Sequence, residues 1–345
     1  MTSKLKQKLP GYIAISLLIA LTTFWTYWGV GEAYYEGWWG AWYNPLIYLL
    51  PAGLLLALTL AGIRWPRKGG WTIVVAGGCI FAGWLIISEI SVLNLIKAFL
   101  LGGLAALVGV LFILEGRRRQ RLYSEGWKAP KKWFYRNIRY VIAIGLPLLV
   151  VVGFSVYWLP IVLGRVDDGN RGARLIEGNG VALVWAPAGP GWYEQPYSWN
   201  QIAFYGVAPI GFGKKPGYED RDATIEDMNT TGLCVYLSED GLTVMDEPQH
   251  IWRMPTVDEI VRSLVRHGDN AGCTWDGEST QASCEVRPDK ETPLWEPDQP
   301  PIYLWALDEY NEHEAFYISF DGNGINHQPK SWGNQRCGYR FVREP

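Results

Sequence analysis

The sequence predicts an α-helical transmembrane bundle of five spans followed by an α+β domain outside the membrane. Three observations carry this prediction. Five apolar segments crowd the chain before position 164, the charges of their connections alternate, and the texture changes after Leu163. The net charge of −3 hides a split, with basic residues dominating the first half and acidic residues the second. That asymmetry fits a membrane-inserted half and a water-exposed half, and it argues against nucleic acid as a partner.

The apolar segments run Gly11–Val30, Leu46–Ile63, Trp71–Ile90, Leu95–Leu114 and Tyr140–Leu163. Each has about 18 to 24 residues, enough for a helix to cross a hydrocarbon core of ~30 Å. The first follows Lys4, Lys6 and Lys8 like a signal peptide, but it is too long for a typical apolar signal core and shows no clean small-x-small cleavage site. It reads as a retained span. Arg64, Arg67 and Lys68 mark the second connection, and the fourth is basic from Arg117 to Arg136. The first connection, GEAYYEGWWGAWYNP, has two Glu and no Lys or Arg. The positive-inside rule therefore predicts a multi-pass protein of the cell membrane, with its N-terminus cytoplasmic and everything after Leu163 extracytoplasmic.

Trp25, Trp28, Trp38, Trp39, Trp42 and Tyr43 cluster near the first outer connection, as an aromatic belt would. Glu89 and Lys97 are the ionisable candidates inside spans, and both fall beside the short third connection. Membrane lipid is the expected partner of this half, with the GRRRQR run at the inner leaflet.

Residues 164–179 are expected to be a linker, and 180–345 the exterior domain. Turn formers recur in VDDGNRG, EGNG, APAGPG and FDGNG, and short apolar runs lie between them. Thr256 followed by Glu259 is a capping box, and Pro255 blocks an earlier start. The spacing predicts a helix over Val257–His267, ended by Gly268, with Ile260, Val261, Leu264 and Val265 inward. A second helix is expected from Thr224 to Glu239. Alternation in Phe316, Ile318 and Phe320 predicts a strand, with Asp321–Gly324 as a hairpin turn whose two glycines take positive φ. A final strand, CGYRFVR, places Tyr339 and Phe341 on one face.

VALVWAPAGPGW, a first helix carrying Cys234, WRMPTVDEIVRSL, IYLWALDEYNEHEAFYISFDG and RCGYRFVRE follow one another over Gly180–Glu344. This order resembles the C-type-lectin-like domains of two bacterial groups. One is the Lcl C-terminal domain group, with a pattern near W-R-L-P-T-x-x-E and a closing R-C-V-R. The other is the formylglycine-generating, sulfatase-modifying enzyme group, with R-L-P-T-E-x-E-W and a closing G-F-R. The first suits better, because Trp252 precedes Arg253. The resemblance implies a small twisted antiparallel sheet, two helices and long loops. Trp252, Pro255, Thr256, Glu259 and Arg340 are its structural motif residues. It does not cover the five spans.

Cys234, Cys273, Cys284 and Cys337 lie in the exterior half, and four cysteines allow three pairings. The resemblance favours Cys234–Cys337 and Cys273–Cys284. Cys79 lies within a span. Zinc does not fit, since there is no C-x₂-C pair and His267 stands alone nearby. The enzyme group needs a close cysteine pair near the C-terminus, and this chain has Cys337 alone there. Calcium-binding lectins of this fold use an E-P-N or Q-P-D tripeptide and a W-N-D segment. Glu296, Asp298 and Asn334 are the matching oxygen donors, of a type that suits Ca²⁺. Asp308, Glu309 and Trp332 complete the candidate ligand-binding set. Glu312, His313 and Glu314 are expected to face water, and Trp275, Trp295, Trp305 and Trp332 could form either core or an aromatic ligand surface. No G-x-S-x-G, H-E-x-x-H or P-loop pattern is present. The expected role is recognition of a protein or glycan ligand outside the cell. Two alternatives stay open: an extracytoplasmic enzyme of the sulfatase-modifying fold, and an accessory subunit of a transporter.

Overall fold

The structure, a computed structural model, describes residues 3–37, 43–88, 91–126, 132–193, 197–207, 211 and 221–345. Trp38, Trp39, Trp42 and Glu89 lie outside the described residues. The chain divides into two compact units, Met1–Val162 and Leu163–Pro345.

The first unit is helical: α1 (Ser3–Glu36), α2 (Asn44–Arg64), α3 (Pro66–Ile87), α4 (Val92–Ala98), α5 (Leu104–Ser124) and α6 (Trp133–Leu163). A π turn, Phe99–Gly103, joins α4 and α5 into one span. Five helices are long and apolar enough to cross a membrane: Leu9–Glu36, Asn44–Arg64, Pro66–Ile87, Val92–Ser124 and Asn137–Leu163. The first and fourth run beyond the predicted segments, so part of GEAYYEGWWGAWYNP and part of the GRRRQR region are helical. Trp65 alone separates α2 from α3, since Pro66 cannot continue a helix but suits the first turn of a new one.

Small residues set the packing of α3 on α5. A Cβ at Gly109 would lie 2.6 Å from the Gly70 carbonyl, and one at Gly102 would lie 2.4 Å from that of Gly77. Gly102, Gly109 and Gly116 recur every seven residues, about two helical turns, so they share one face. Backbones can then approach closely, which is how apolar helices associate where lipid offers no hydrophobic contrast. The Thr22 and Thr59 hydroxyls meet at 3.2 Å between α1 and α2. The buried carboxylates here are Glu36 and Glu115, neither of which the sequence singles out, while Lys97 is exposed.

The second unit contains β1 (Arg174–Gly178), β2 (Val181–Trp185), β3 (Trp192–Tyr193), α7 (Trp199–Ala203), α8 (Ile225–Thr231), α9 (Val257–Arg262), β4 (Val265–Arg266), β5 (Asp269–Asn270), β6 (Tyr303–Glu309), β7 (Glu314–Ser319), β8 (Ile325–Pro329), β9 (Cys337–Arg340) and β10 (Val342–Arg343). Its main sheet has the order β3-β9-β6-β7-β8, antiparallel except for β6 beside β9. A second sheet is β1-β2-β10. The expected final strand is thus two strands in two sheets, split at Phe341. Tyr339 and Phe341 do stack, at 4.8 Å. Trp199, Ile202, Met228, Leu233, Trp252, Trp305 and Tyr339 form one core cluster. The adjacent β6 residues Leu304 and Trp305 are both fully buried, so both faces of the sheet are covered there.

Four expectations change. First, the Thr256 capping box forms, but α9 stops at Arg262. Asn270 takes the Arg262 carbonyl at 2.7 Å, and His267 (φ 54°) and Gly268 (φ 84°) turn the chain into the β4–β5 hairpin. Two consecutive positive φ values are a hairpin signature, not a helix cap. Second, the other helix breaks at Gly232, which is extended (φ −64°, ψ 153°) and packs so closely that a Cβ would lie 2.2 Å from the Met228 carbonyl oxygen. A 3₁₀ turn, Leu233–Tyr236, follows. Third, residues 164–179 are no free linker. Arg165 pairs with buried Asp289 at 2.9 Å, Thr292 N–H donates to the Val166 carbonyl at 3.1 Å, and β1 lies within the stretch. Fourth, of the two turn glycines only Gly322 takes positive φ.

The cysteines also divide. Cys273 and Cys284 are joined, whereas Cys234 and Cys337 are separate buried thiols in the same core cluster. Their sulfurs have other partners: Cys234 faces the Met228 carbonyl at 3.5 Å, and Gln328 donates to Cys337 at 2.8 Å. Burial pushes each thiol up to about 12, far from the thiolate needed for reaction.

Two outcomes are expected. Iodoacetamide should label Cys234 and Cys337 only after denaturation, as read by peptide mass spectrometry; a Cys234–Cys337 cystine in the native protein would restore the pairing. Gly109→Leu should destabilise the helical unit by about 2 kcal/mol or more, measured by thermal unfolding in detergent. Gly78→Ala, where nothing lies within 4 Å of the added Cβ, should change little.

Candidate functional site

The residues expected to bind ligand mostly hold the fold together. Asp308 accepts from Val257 N–H at 2.6 Å and so caps α9 from a neighbouring strand. Glu309 receives Lys330 Nζ at 2.8 Å. Lys330 is fully buried, donates also to the carbonyls of Ala223 and Glu312, and sits 4.9 Å from the Trp199 ring centroid. Glu259 completes the capping box and takes both ends of the Arg253 guanidinium, at 2.7 and 2.6 Å. Trp252 donates to the Ser238 carbonyl, and Pro255 accepts from Leu307.

Two of the three calcium donors are engaged within the fold. Glu296 pairs with Arg171 at 3.0 Å. Asn334 Oδ1 accepts from the backbone N–H groups of Arg336 and Cys337, closing its own turn. The E-P-D loop is already organised around an internal cation: Lys290, fully buried, donates Nζ to the carbonyls of Glu296 and Gln299. Asp298 is exposed. Among the described residues no group of three His, Cys, Asp or Glu could hold a metal. Arginine and backbone amide hydrogens thus already engage the Glu296 and Asn334 oxygens, while the Asp298 carboxylate faces solvent.

A cluster of rings reaching solvent lies at the β8 edge of the main sheet. Phe316 and His327 are cross-strand partners on β7 and β8. Tyr310, at the end of β6, folds back and stacks on His327 with 3.6 Å between ring centroids and 6° between planes. Phe316 meets both rings edge-on, at 5.7 and 6.1 Å. Trp275 adds a fourth ring, 6.0 Å from Phe316. It is delivered by the Cys273–Cys284 loop, where its indole N–H donates to the Ser279 carbonyl. Tyr310 remains 54% exposed. Glu314 Oε2 accepts from Asn311 Nδ2 at 2.9 Å and lies 3.1 Å from His327 Nδ1 without hydrogen-bond geometry. The patch therefore joins flat aromatic faces to a carboxylate and an amide.

The backbone edge beneath this patch is blunted. Ile325 N–H is taken by the Thr280 carbonyl, His327 N–H by the Asn326 side chain, and Pro329 has none to offer. Strand addition is therefore disfavoured, and recognition here falls to side chains. Of the four tryptophans considered from sequence, Trp295 and Trp305 are buried core, Trp332 is exposed, and Trp275 joins the patch. Sequence reasoning missed Tyr310, Phe316 and His327 as a group. The signal was weak: Phe316 and His327 share strand faces with the buried Ile318 and Ile325, and Tyr310 and Trp275 lie outside the strands.

Beside the patch, at the β6–β7 turn, exposed His313 bridges two carboxylates. Its Nδ1 is 2.8 Å from Asp222 Oδ2 and its Nε2 is 3.0 Å from Glu312 Oε1. Asn200 holds the other Asp222 oxygen at 2.7 Å. The hydrogen bond to Asp222 raises the His313 pKa above its ordinary value. Burial would raise Asp222, but the hydrogen bonds from Asn200 and His313 hold it below the usual carboxylate range. A histidine with an oriented carboxylate can relay a proton, but no serine or threonine hydroxyl and no cysteine thiol is hydrogen-bonded to His313 among the described residues.

The chain matches no protein-family model, no curated protein and no solved structure.

The raised His313 value predicts pH dependence with a definite sign. A histidine whose folded pKa exceeds its unfolded value of about 6.5 contributes fully below that value and loses its contribution as pH rises through the folded one. Amide exchange at Asp222 and Ala223 should therefore accelerate as pH rises above 6.5, beyond the intrinsic rate increase, and His313→Asn should remove the extra dependence.

Proposed function

We propose that this is a multi-pass membrane protein that displays a lectin-like recognition domain outside the cell and binds a glycan through the aromatic patch at Tyr310. Five apolar helices support membrane residence. The basic connections, read by the positive-inside rule, support a cytoplasmic N-terminus and an extracytoplasmic second unit. The order of motifs from VALVW to RCGYRFVRE supports the lectin-like kinship.

The observation that carries the ligand class is the Tyr310–His327 stack with Glu314 and Asn311 at its rim. An exposed flat ring takes the apolar face of a sugar, and adjacent carboxylate and amide groups take its hydroxyls, the division of labour expected of a ligand site with few polar anchors. Binding in this reading needs no calcium, since the patch itself presents rings, a carboxylate and an amide, while Glu296 and Asn334 are engaged by Arg171 and by backbone N–H groups.

The test is saccharide binding by the full chain in detergent, screened on immobilised glycans. Tyr310→Ala should weaken binding by roughly tenfold or more, the loss of about 1.5–2 kcal/mol of aromatic contact, and a calcium chelator should leave it unchanged. Equal binding by wild type and Tyr310→Ala would remove the patch from the account, and chelator sensitivity would return the metal. Protease added to intact cells should digest residues after Leu163; protection until lysis would invert the topology.

A further inference from the structure

Glu115 is a buried carboxylate on α5 with more guanidinium around it than one negative charge can neutralise. Arg118 donates Nε and Nη2 to it at 2.8 and 2.9 Å, and Arg119 donates Nε at 2.9 Å. Arg139 of α6 approaches to 3.7 Å. Three cations on one anion leave the group with a charge of +2 (3 − 1). It is also a junction of helices. Arg119 Nη1 donates to the Ile63 carbonyl near the end of α2, and Gly11 lets α1 lie so close that a Cβ there would be 2.5 Å from the Glu115 carboxyl carbon.

The unspent charge faces outward. The three arginine side chains keep 18, 26 and 27% of their exposure. Each guanidinium has five N–H donors, and Arg118 uses two of them on Glu115. The start of α3 lies against the same stretch, since a Cβ at Gly116 would be 2.8 Å from Arg67 N. Its first turn carries no acidic residue, so the positive end of its dipole adds to the field. Below the charges the surface is apolar and exposed: Leu114 on α5, and Val141, Ile142 and Ile144 on α6.

We propose that this junction binds an anionic phospholipid, its phosphodiester on Arg118, Arg119 and Arg139 and its acyl chains along the exposed apolar residues of α5 and α6. Guanidinium pairs with phosphate through two parallel hydrogen bonds, a match no zwitterionic surface improves on once net charge must also be balanced. Basic residues at the ends of apolar helices sit at headgroup level, where anionic lipid is the available counter-charge. A soluble phosphate would satisfy the arginines but leave the apolar flank uncovered. The inference depends on the helices lying in a bilayer and not on the ligand of the second unit.

The full chain, purified in a neutral detergent, would be titrated with phosphatidylglycerol, phosphatidylcholine or inorganic phosphate, with bound lipid counted by native mass spectrometry and stability read by thermal unfolding. Phosphatidylglycerol should bind in near one-to-one ratio and raise the midpoint, while the other two do neither. Arg139→Gln should weaken phosphatidylglycerol binding by roughly tenfold, as loss of a charge-assisted contact does. Arg139 makes the longest contact to Glu115, so this variant should fold. Glu115→Gln should be unstable in phosphatidylcholine and recover in phosphatidylglycerol, a rescue that a purely structural role would not give. Equal midpoint shifts from both lipids, unchanged lipid binding by Arg139→Gln, or a shift from inorganic phosphate equal to that from phosphatidylglycerol would overturn the proposal.

Discussion

The arrangement of the globular unit depends on Arg340, a fully buried guanidinium that has no carboxylate partner among the described residues. Its Nε donates to the Ala186 carbonyl at 2.8 Å, and Nη1 donates to those of Pro293 and Leu294 at 2.7 Å each. The Trp192 ring covers its face at 3.7 Å. Burying a charge without a counter-ion is costly unless hydrogen bonds replace its hydration. Burial, helped by the Arg174 and Arg171 charges, lowers its pKa well below the ordinary arginine value. The compensation comes from three carbonyls on two backbone segments, so those segments must stay where they are. They include the end of β2 and the loop that follows Lys290, and one residue later the chain passes from the main sheet into the smaller one.

The same principle organises that loop. Lys290 is held by its own carbonyls, and Asp289 and Glu291 are held by Arg165 and Arg266. Internal cations thus tie the carbonyls and carboxylates of this long loop together. A loop built this way has most of its charged groups paired within the fold. The solvent-facing aromatic chemistry lies at β8, where rings are presented beside the Glu314 carboxylate.

The membrane unit rests on a different constraint, close backbone approach. Gly70, Gly77, Gly102 and Gly109 bring α3 and α5 together, and the helices they join keep outward faces of large apolar side chains. At one end of this bundle the buried Glu115 gathers arginines from two helices. In the globular unit a lone cation gathers carbonyls; in the helical unit a lone anion gathers cations. In both, one buried charge fixes several segments.

By itself the sequence determined what depends on neighbours along the chain. Hydropathy over twenty residues marks five spans because burial in lipid is a property of one helix at a time. Thr256 and Glu259 announce a helix start because a capping box closes within four residues. The tertiary structure decided what depends on partners far away. Whether Val265 continued a helix or began a hairpin turned on Asn270 reaching back to Arg262. Whether Glu296 and Asn334 were free turned on Arg171 and on backbone amides. Cys234 and Cys337 stayed thiols because each sulfur lies against another group. The aromatic patch was illegible for the same reason: Trp275, Tyr310, Phe316 and His327 sit on separate loops and strands, and only sheet register and a disulfide-closed loop make them one surface.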